Sequence, residues 1–297
     1  MLAGRFLQGF GAAAPRSITV ALIRDYFEGR AMARIMSFIM AVFIIVPILS
    51  PAIGQAILLV ANWRMIFAML LTLALISCVW FGIRQPETLD PSLRTAFSLR
   101  QIGSDIIEVV RTRCALGYTI SAGLVSGAFI GYLSSAQQIF QSQFGLGNYF
   151  PLYFAGLAAS IGCASLLNAK LVLYFGMRLL SWRALQSMSV FSAGFFIYAS
   201  TVDGTPPLWT FMAWGALTFF SIGLVFGNFN ALAMESLGHI AGTASAVIGS
   251  LATAVSLMLG VFIGQSYDGT VLPLVGGFAI LGLASLATMC LAERGSN

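Results

Sequence analysis

Long apolar runs alternate with short polar breaks along the whole chain. Runs near 20 residues are long enough to cross a hydrocarbon core of about 30 Å as α-helices, and no soluble domain has this pattern. The hydropathy places nine such spans, at about 2–23, 35–60, 64–83, 114–140, 150–173, 183–201, 208–233, 243–267 and 271–291. We therefore predict an all-α, polytopic membrane protein.

The longest polar break separates three spans from six. It holds both signs of charge and two prolines, and Leu99, Ile102, Ile106 and Val109 follow one another at helical spacing. This pattern predicts a cytoplasmic linker that ends in a helix lying on the membrane surface. The predicted units are residues 1–84 with three spans, residues 85–113 as the linker with its amphipathic helix, and residues 114–297 with six spans.

The basic residues sort to one side of the predicted spans. Only 8% of the residues are charged, and the mean hydropathy is +0.92. Of the 15 Lys and Arg residues, two lie in the first span, Arg64 lies on one side, and all the others lie on the opposite side. By the positive-inside tendency, the basic side is cytoplasmic, which puts the N-terminus outside and the C-terminus inside. Because these residues are scattered over several loops, the net charge of +5 does not indicate a nucleic-acid partner.

Two arginines lie within the first span, where lipid disfavours charge. An arginine near mid-span costs several kcal/mol unless it faces the bundle interior and meets carbonyls, waters or an acid. Arg5 is therefore a functional-site candidate, although its side chain can also reach the outer surface from so near the chain start. Arg16 has the same two interpretations at the cytoplasmic end of the span.

An internal repeat relates the two sets of spans. Shifting the sequence by 213 residues pairs Gly29, Ala31, Ala33, Ile35, Ser37, Ala41 and Val42 with Gly242, Ala244, Ala246, Ile248, Ser250, Ala254 and Val255. The copies lie six spans apart and so point the same way through the membrane, as parallel repeats of transporters do. A six-span unit would leave the first copy short of three spans, or roughly 80 to 110 residues. Chance similarity between two alanine-rich helices is the alternative.

Several motifs of the first ninety residues are specific. The chain reads GRFLQGFGAAA at residues 4–14, IRDYFEGRAMARIMS at 23–37 and IVPILSPAIGQ at 45–55, followed by WRMIF at 63–67 and PET at 86–88. The first three of these stretches resemble, in order, the span-four motif, the following loop and the Pro/Gly antiporter motif of the major facilitator superfamily, and the last two follow as in that family. Within it, the chain is similar to drug/proton antiporters of the Bcr/CflA type. The resemblance covers the whole chain and implies the major facilitator fold without the first three of its twelve helices.

The resemblance implies roles for individual residues. The implied proton-coupling residues of span four are Arg5, Gln8 and Gly9. The implied antiporter motif comprises Pro47, Pro51 and Gly54. The implied cytoplasmic gate comprises Arg24, Asp25, Lys170 and Arg178. The alternatives are ordinary helix kinking for the second group and a solvated helix end for the third.

Polar side chains in the later spans predict a substrate cavity. Polar groups in hydrocarbon need partners, so many of them should face a central cavity. The candidates are Tyr118, Tyr132, Gln137, Asn228 and Asn230. A largely apolar cavity with sparse polar groups suits small amphiphilic molecules, although aromatic side chains in membrane helices more often face lipid or the core.

The leading hypothesis is a secondary transporter that exports small drug-like or metabolite compounds against proton influx by alternating access. The chain has no G-x-x-x-x-G-K-[ST] motif, and its single histidine, His239, disfavours zinc and triad chemistry. We expect no enzyme activity, catalytic residue, metal or cofactor. The expected partners are a small-molecule substrate, protons and the lipid bilayer of a bacterial inner membrane, with a monomer for a full-length chain. The alternative is a transport-inactive truncated chain, or a chain that needs a partner to supply three spans.

Overall fold

A computed structural model describes residues 4, 6–12, 15, 19, 22, 26, 46, 49–86 and 98–294. Within these residues the regular structure is helical throughout, and no strand occurs. The chain divides into two compact units, Met1–Phe97 and Ser98–Asn297. The prediction of an all-α chain is confirmed.

The first unit contains two helices whose bounds are described, α1 (Leu49–Val60) and α2 (Arg64–Arg84). Between them, the Asn62 side chain accepts a hydrogen bond from the backbone N–H of Arg64 at 3.0 Å, which starts α2. The side chains of α2 are exposed almost throughout although the helix is strongly apolar. An apolar helix exposed on most sides is typical of a membrane span.

The second unit begins with one short helix, followed by six long ones. The short helix α3 (Leu99–Arg111) starts at Ser98, whose hydroxyl accepts a hydrogen bond from the Gln101 N–H. The long helices are α4 (Arg113–Gln137), α5 (Phe150–Phe175), α6 (Met177–Thr201), α7 (Leu208–Met234), α8 (Ala241–Gln265) and α9 (Leu272–Glu293). A π-helical segment, Gln138–Gln143, continues α4. Gly176 joins α5 to α6 at a φ of 74°, a conformation that glycine adopts without strain.

Six of the described helices are long and apolar enough to cross a membrane: α2, α4 with its π-helical extension, α5, α7, α8 and α9. Helix α6 has 25 residues, which also suffices by length. The seven predicted spans from residue 64 onward coincide with α2 and α4 to α9. Half of the residues of each of the first two predicted spans lie outside the described residues.

Packing in the second unit centres on α4, which lies against α7, α8 and α9, while α5 and α6 both pack on α7. Helices α4 and α8 approach closely because glycines lie at their crossing. A Cβ on Gly131 would lie 2.7 Å from Cγ2 of Ile263, and a Cβ on Gly264 would lie 2.5 Å from that of Ser134. Such small residues let membrane helices pack backbone to backbone. The contact fixes the face of α4 that is turned toward α5 and α7.

Candidate substrate-binding region

An aromatic cluster lies where α4, α5 and α7 meet. The Tyr132 ring of α4 lies 4.7 Å from Phe219 of α7 and stacks on Phe154 of α5 at 5.6 Å between ring centroids. Phe129 of α4 lies 5.7 Å from Phe219 and 6.1 Å from Phe226. Phe129 and Phe226 are only partly buried, so the cluster presents rings at its edge. The rings meet mostly edge to face, and Tyr132, Phe154 and Phe219 are buried, so Phe129 and Phe226 supply the accessible apolar edge of the cluster.

The Tyr132 hydroxyl is the one polar atom of this cluster. Its side chain is 2% exposed, and the oxygen has no hydrogen-bond partner. A buried hydroxyl normally finds a partner, because leaving it unpaired costs about 1–3 kcal/mol. Because the surrounding rings enclose this hydroxyl, a bound molecule can hydrogen-bond to it only when the rings move apart.

Polar contacts join α5 and α7 nearer to the end of the second unit where α3 lies. The side-chain amides of Asn168 and Asn228 donate to each other's oxygen, both at 3.0 Å. Asn228 also donates to the backbone oxygen of Leu224 at 2.9 Å, and the Ser165 hydroxyl donates to that of Gly223 at 3.3 Å. Asn228 is buried, so these bonds satisfy groups that lipid could not. They fix the register of α5 against α7 beneath the aromatic cluster.

The end of the second unit at which α3 joins α4 is called the linker end. Side-chain pairs hold the ends of neighbouring helices together there. The Tyr118 hydroxyl donates to Oε1 of Glu293 at 2.6 Å and joins α4 to α9. Nη2 of Arg178 donates to Oε2 of Glu235 at 2.9 Å and joins α6 to α7. The second pair is half-exposed, so it contributes little to stability.

A third pair ties α3 to this end. Nε2 of His239, in the short 3₁₀ turn Gly238–Ile240 before α8, lies 2.7 Å from Oε1 of Glu108. The hydrogen bond joins residues 131 positions apart in the sequence. Helix α3 is therefore part of the second unit and is held on α8.

Hydrogen bonds order the loops at the opposite end of the second unit. The carbonyl of Gly204, between α6 and α7, accepts from Nε2 of Gln143 and from the N–H of Val271, both at 3.1 Å. Oδ1 of Asp268 accepts from the hydroxyl of Thr270 at 2.7 Å and from its N–H at 3.0 Å. These hydrogen bonds hold the pKa of Asp268 below its usual range.

The candidate residues of the second unit divide into two groups. Tyr118, Tyr132 and Asn228 are buried within the helix bundle. Gln137 and Asn230 are exposed and bond within their own helices, to Gln141 and to the Phe226 carbonyl respectively. The structure thus brings Tyr132 into the aromatic cluster and Asn228 beneath it.

The remaining candidates lie at the linker end or in the first unit. Arg178 is paired as described, and Lys170 is exposed without an ion pair among the described residues. Gln8 and Gly9 are helical and exposed, whereas Pro51 and Gly54 of α1 are partly buried. Arg5, Arg24, Asp25 and Pro47 lie outside the described residues.

Sequence reasoning missed three features of this region. It did not find the Glu108–His239 pair, the bond from Tyr118 to Glu293, or the aromatic cluster around Tyr132. Each joins residues more than 20 positions apart and of types common in any membrane protein. The spacing of Gly123, Gly127 and Gly131 at every fourth residue is a local signal of helix contact, but it marks the face of α4 that packs on α8 and none of these three features.

Comparison with known proteins gives the chain a family. Residues 1–261 match the Major Facilitator Superfamily. The uncharacterized MFS-type transporter YdgK of Bacillus subtilis is 27% identical across 95% of this chain and 72% of its own length. The bicyclomycin resistance protein homolog of Haemophilus influenzae is 27% identical across 91% of this chain and 68% of its own length. The multidrug resistance protein MdtL of Escherichia coli is 35% identical across 31% of this chain and 24% of its own length.

These matches confirm the resemblance that the motifs of the first ninety residues indicate, including its Bcr/CflA type. The matched region spans both units, and each unit contains at least one described helix of membrane-spanning length. The chain belongs to the Major Facilitator Superfamily of membrane transporters and is a multi-span membrane protein.

Proposed function

We propose that the chain is a proton-coupled secondary transporter that exports small drug-like compounds by alternating access. The observation that carries this proposal is the aromatic cluster around Tyr132, with its single unpaired hydroxyl. Two relatives are named for resistance to bicyclomycin and to multiple drugs, which supports an exported compound of that class.

The cluster suits such compounds for a physical reason. Aromatic faces bind flat apolar groups over a large area without fixing their outline, and one hydroxyl adds a hydrogen bond that many drug-like molecules can accept or donate. Nothing in this part of the bundle carries a charge, because the charged residues of α4 to α9 lie near the helix ends. Apolar contact area therefore contributes more to substrate binding in this part of the bundle than charge does.

Coupling to protons is assigned to the first unit. Arg5, Gln8 and Gly9 are the proposed coupling residues, and Pro47, Pro51 and Gly54 the proposed outward seal. Arg24, Asp25, Lys170 and Arg178 are the proposed gate at the cytoplasmic side, which we identify with the linker end. This orientation places the C-terminus in the cytoplasm of a bacterial cell. A full-length chain is proposed to act as a monomer.

The test is transport of ethidium, a planar aromatic cation, and of bicyclomycin into liposomes that contain the purified chain. A pH gradient, acidic inside, should drive their accumulation, and a protonophore should abolish it. Tyr132→Phe should raise the KM of at least one of the two compounds about tenfold, because it removes one hydrogen bond worth about 1–1.5 kcal/mol. Tyr149→Phe makes the same change at a tyrosine that is 70% exposed and should leave transport unaltered.

Three results would contradict the proposal. Accumulation that is unaffected by the pH gradient would exclude proton coupling. Absence of any transport by a correctly folded chain would favour the alternative of a transport-inactive chain, or of one that needs a partner to supply three spans. Equal KM values for Tyr132→Phe and Tyr149→Phe would remove the aromatic cluster from the substrate site.

A further inference from the structure

Helix α3 presents three different strips of side chains around its axis. Successive helical residues turn by about 100°, so residues three, four or seven apart share a strip. Asp105 and Val109 are buried, with Ile102 partly buried beside them, and this strip lies against α8 and α4. This strip is the docked face of α3, and the Glu108–His239 pair lies at its margin.

The second strip is apolar but exposed. Ile106, Ile107 and Val110 are 41%, 53% and 43% exposed, and they follow one another around the helix next to the docked face. Three branched aliphatic side chains on an otherwise charged helix are costly to leave in water, since each fully buried one gains roughly 1.5–3 kcal/mol. We call these three residues the outer face of α3.

The third strip is polar and basic. Arg100 and Arg111 lie beside the outer face, Ser104 continues the strip, and Arg113 follows at the start of α4; all four are exposed. The two acidic residues of α3 are engaged elsewhere, because Asp105 is buried against Gln101 and Glu108 pairs with His239. Away from the Glu108–His239 pair, the accessible surface of α3 is therefore apolar and basic.

The position of α3 brings this surface to the bilayer. Helix α3 ends at Arg111, and after Thr112, which has an extended backbone, α4 begins at Arg113 as a membrane-spanning helix. Val110 of the outer face thus lies three residues before Arg113, where the membrane-spanning helix begins. A helix with one apolar and one basic strip at this depth lies in the interface, with apolar side chains among the acyl chains and arginines at the phosphates.

We propose that the outer face of α3, together with Arg100, Arg111 and Arg113, binds the surface of a bilayer that contains anionic phospholipids. The three aliphatic side chains insert below the headgroups, and the arginines contact the lipid phosphates. Charge complementarity selects this occupant, because another part of the chain or a second copy would have to supply acidic residues opposite three arginines. The inference does not depend on which compound the chain transports.

The test measures the depth of α3 in liposomes of phosphatidylcholine alone and of phosphatidylcholine with phosphatidylglycerol. The full chain, with its four cysteines changed to alanine, carries a nitroxide at Ile107→Cys on the outer face or at Ser104→Cys on the basic strip. Oxygen partitions into lipid and a nickel chelate stays in water, so their relaxation of the label reports its surroundings. We expect oxygen to dominate at residue 107 and the nickel chelate at residue 104.

Phosphatidylglycerol should shift the residue-107 label further toward lipid. Changing Arg100→Gln and Arg111→Gln should lower the ratio of lipid-exposed to water-exposed label about fivefold for each arginine removed, and only in the anionic liposomes. Arg183→Gln is the matched control, since it removes an exposed arginine from the linker end of α6. It should leave the label unchanged.

Three results would overturn the proposal. A residue-107 label that is equally deep in both lipid mixtures would show that anionic headgroups have no part in binding. A label that is open to the nickel chelate would place the outer face in water. A label that neither reagent reaches would show that protein, from the first unit or from a second copy, covers this face.

Discussion

Gly223→Ala should separate two helices of the second unit. A Cβ at this position of α7 would lie 2.5 Å from the carbonyl oxygen of Ile161 and 2.7 Å from Cβ of Ala164, both on α5. Non-bonded carbon atoms need about 3.5 Å, so the two helices must move apart by on the order of 1 Å. Backbone atoms on both sides leave no side-chain rotation that would avoid this movement.

The expected loss of stability combines two destabilising contributions and one stabilising contribution. Overpacking at such a contact costs about 1–3 kcal/mol. Separation also stretches the Ser165–Gly223 bond and the Asn168–Asn228 pair, which at about 0.6 kcal/mol each in a membrane protein adds roughly 1 kcal/mol. Alanine recovers about 1 kcal/mol through its higher helix propensity. The net loss of stability is therefore about 1–3 kcal/mol.

Helix α7 supplies its own control for this experiment. A Cβ on Gly227, one turn further along, would meet no atom within 4 Å, so Gly227→Ala should keep or raise stability. Both variants are compared with the unchanged chain by thermal unfolding of the purified protein in detergent, followed by circular dichroism. Equal unfolding temperatures for Gly223→Ala and Gly227→Ala would refute the close contact of α5 and α7.

Three further substitutions test other parts of the second unit. Asn228→Ala leaves the amide of Asn168 without its partner and should destabilise the chain by about 1–2 kcal/mol. The double variant Asn168→Ala with Asn228→Ala should lose less stability than the sum of the losses of the two single variants. Arg178→Gln should lower the unfolding temperature only slightly, since its pair with Glu235 is half-exposed, and the exchange Arg178→Glu with Glu235→Arg should restore what is lost. Asp268→Ala should lower stability at neutral pH but not at low pH, because the pKa of Asp268 is lower in the folded chain than in the unfolded chain. The stabilisation by its carboxylate is therefore present above the unfolded-state pKa of about 3.9 and is lost as the pH falls through the folded-state pKa. A stability loss from Asp268→Ala that is the same at both pH values would show that the charge of this carboxyl is irrelevant.

Length and hydropathy were sufficient to predict the helices of this chain. The apolar runs from residue 64 onward end where α2 and α4 to α9 end, to within a few residues, except that the run starting near residue 183 belongs to a helix that begins at Met177. That helix begins early because Gly176 turns the chain sharply after α5, and the basic side chains of its first two turns lie near the linker end. Hydropathy alone excludes such residues from a span.

The candidate site was less predictable, because its contacts are distant in sequence. A list of polar residues in spans selected Tyr132 and Asn228, which are buried, along with Gln137 and Asn230, which are exposed. Hydropathy cannot tell these pairs apart, since the choice depends on which face of α4 or α7 meets another helix. The sequence likewise gives no sign that His239 pairs with Glu108, because this contact depends on α3 folding back onto α8.

The central claim is exchange of an exported compound for protons. The most direct measurement uses liposomes that contain the purified chain, are loaded with bicyclomycin and carry a pH-sensitive dye inside. After dilution into compound-free buffer, the account predicts that the interior becomes acidic as bicyclomycin leaves, and that empty liposomes or liposomes without protein show no change. Release of bicyclomycin through the protein without internal acidification would contradict proton-coupled export.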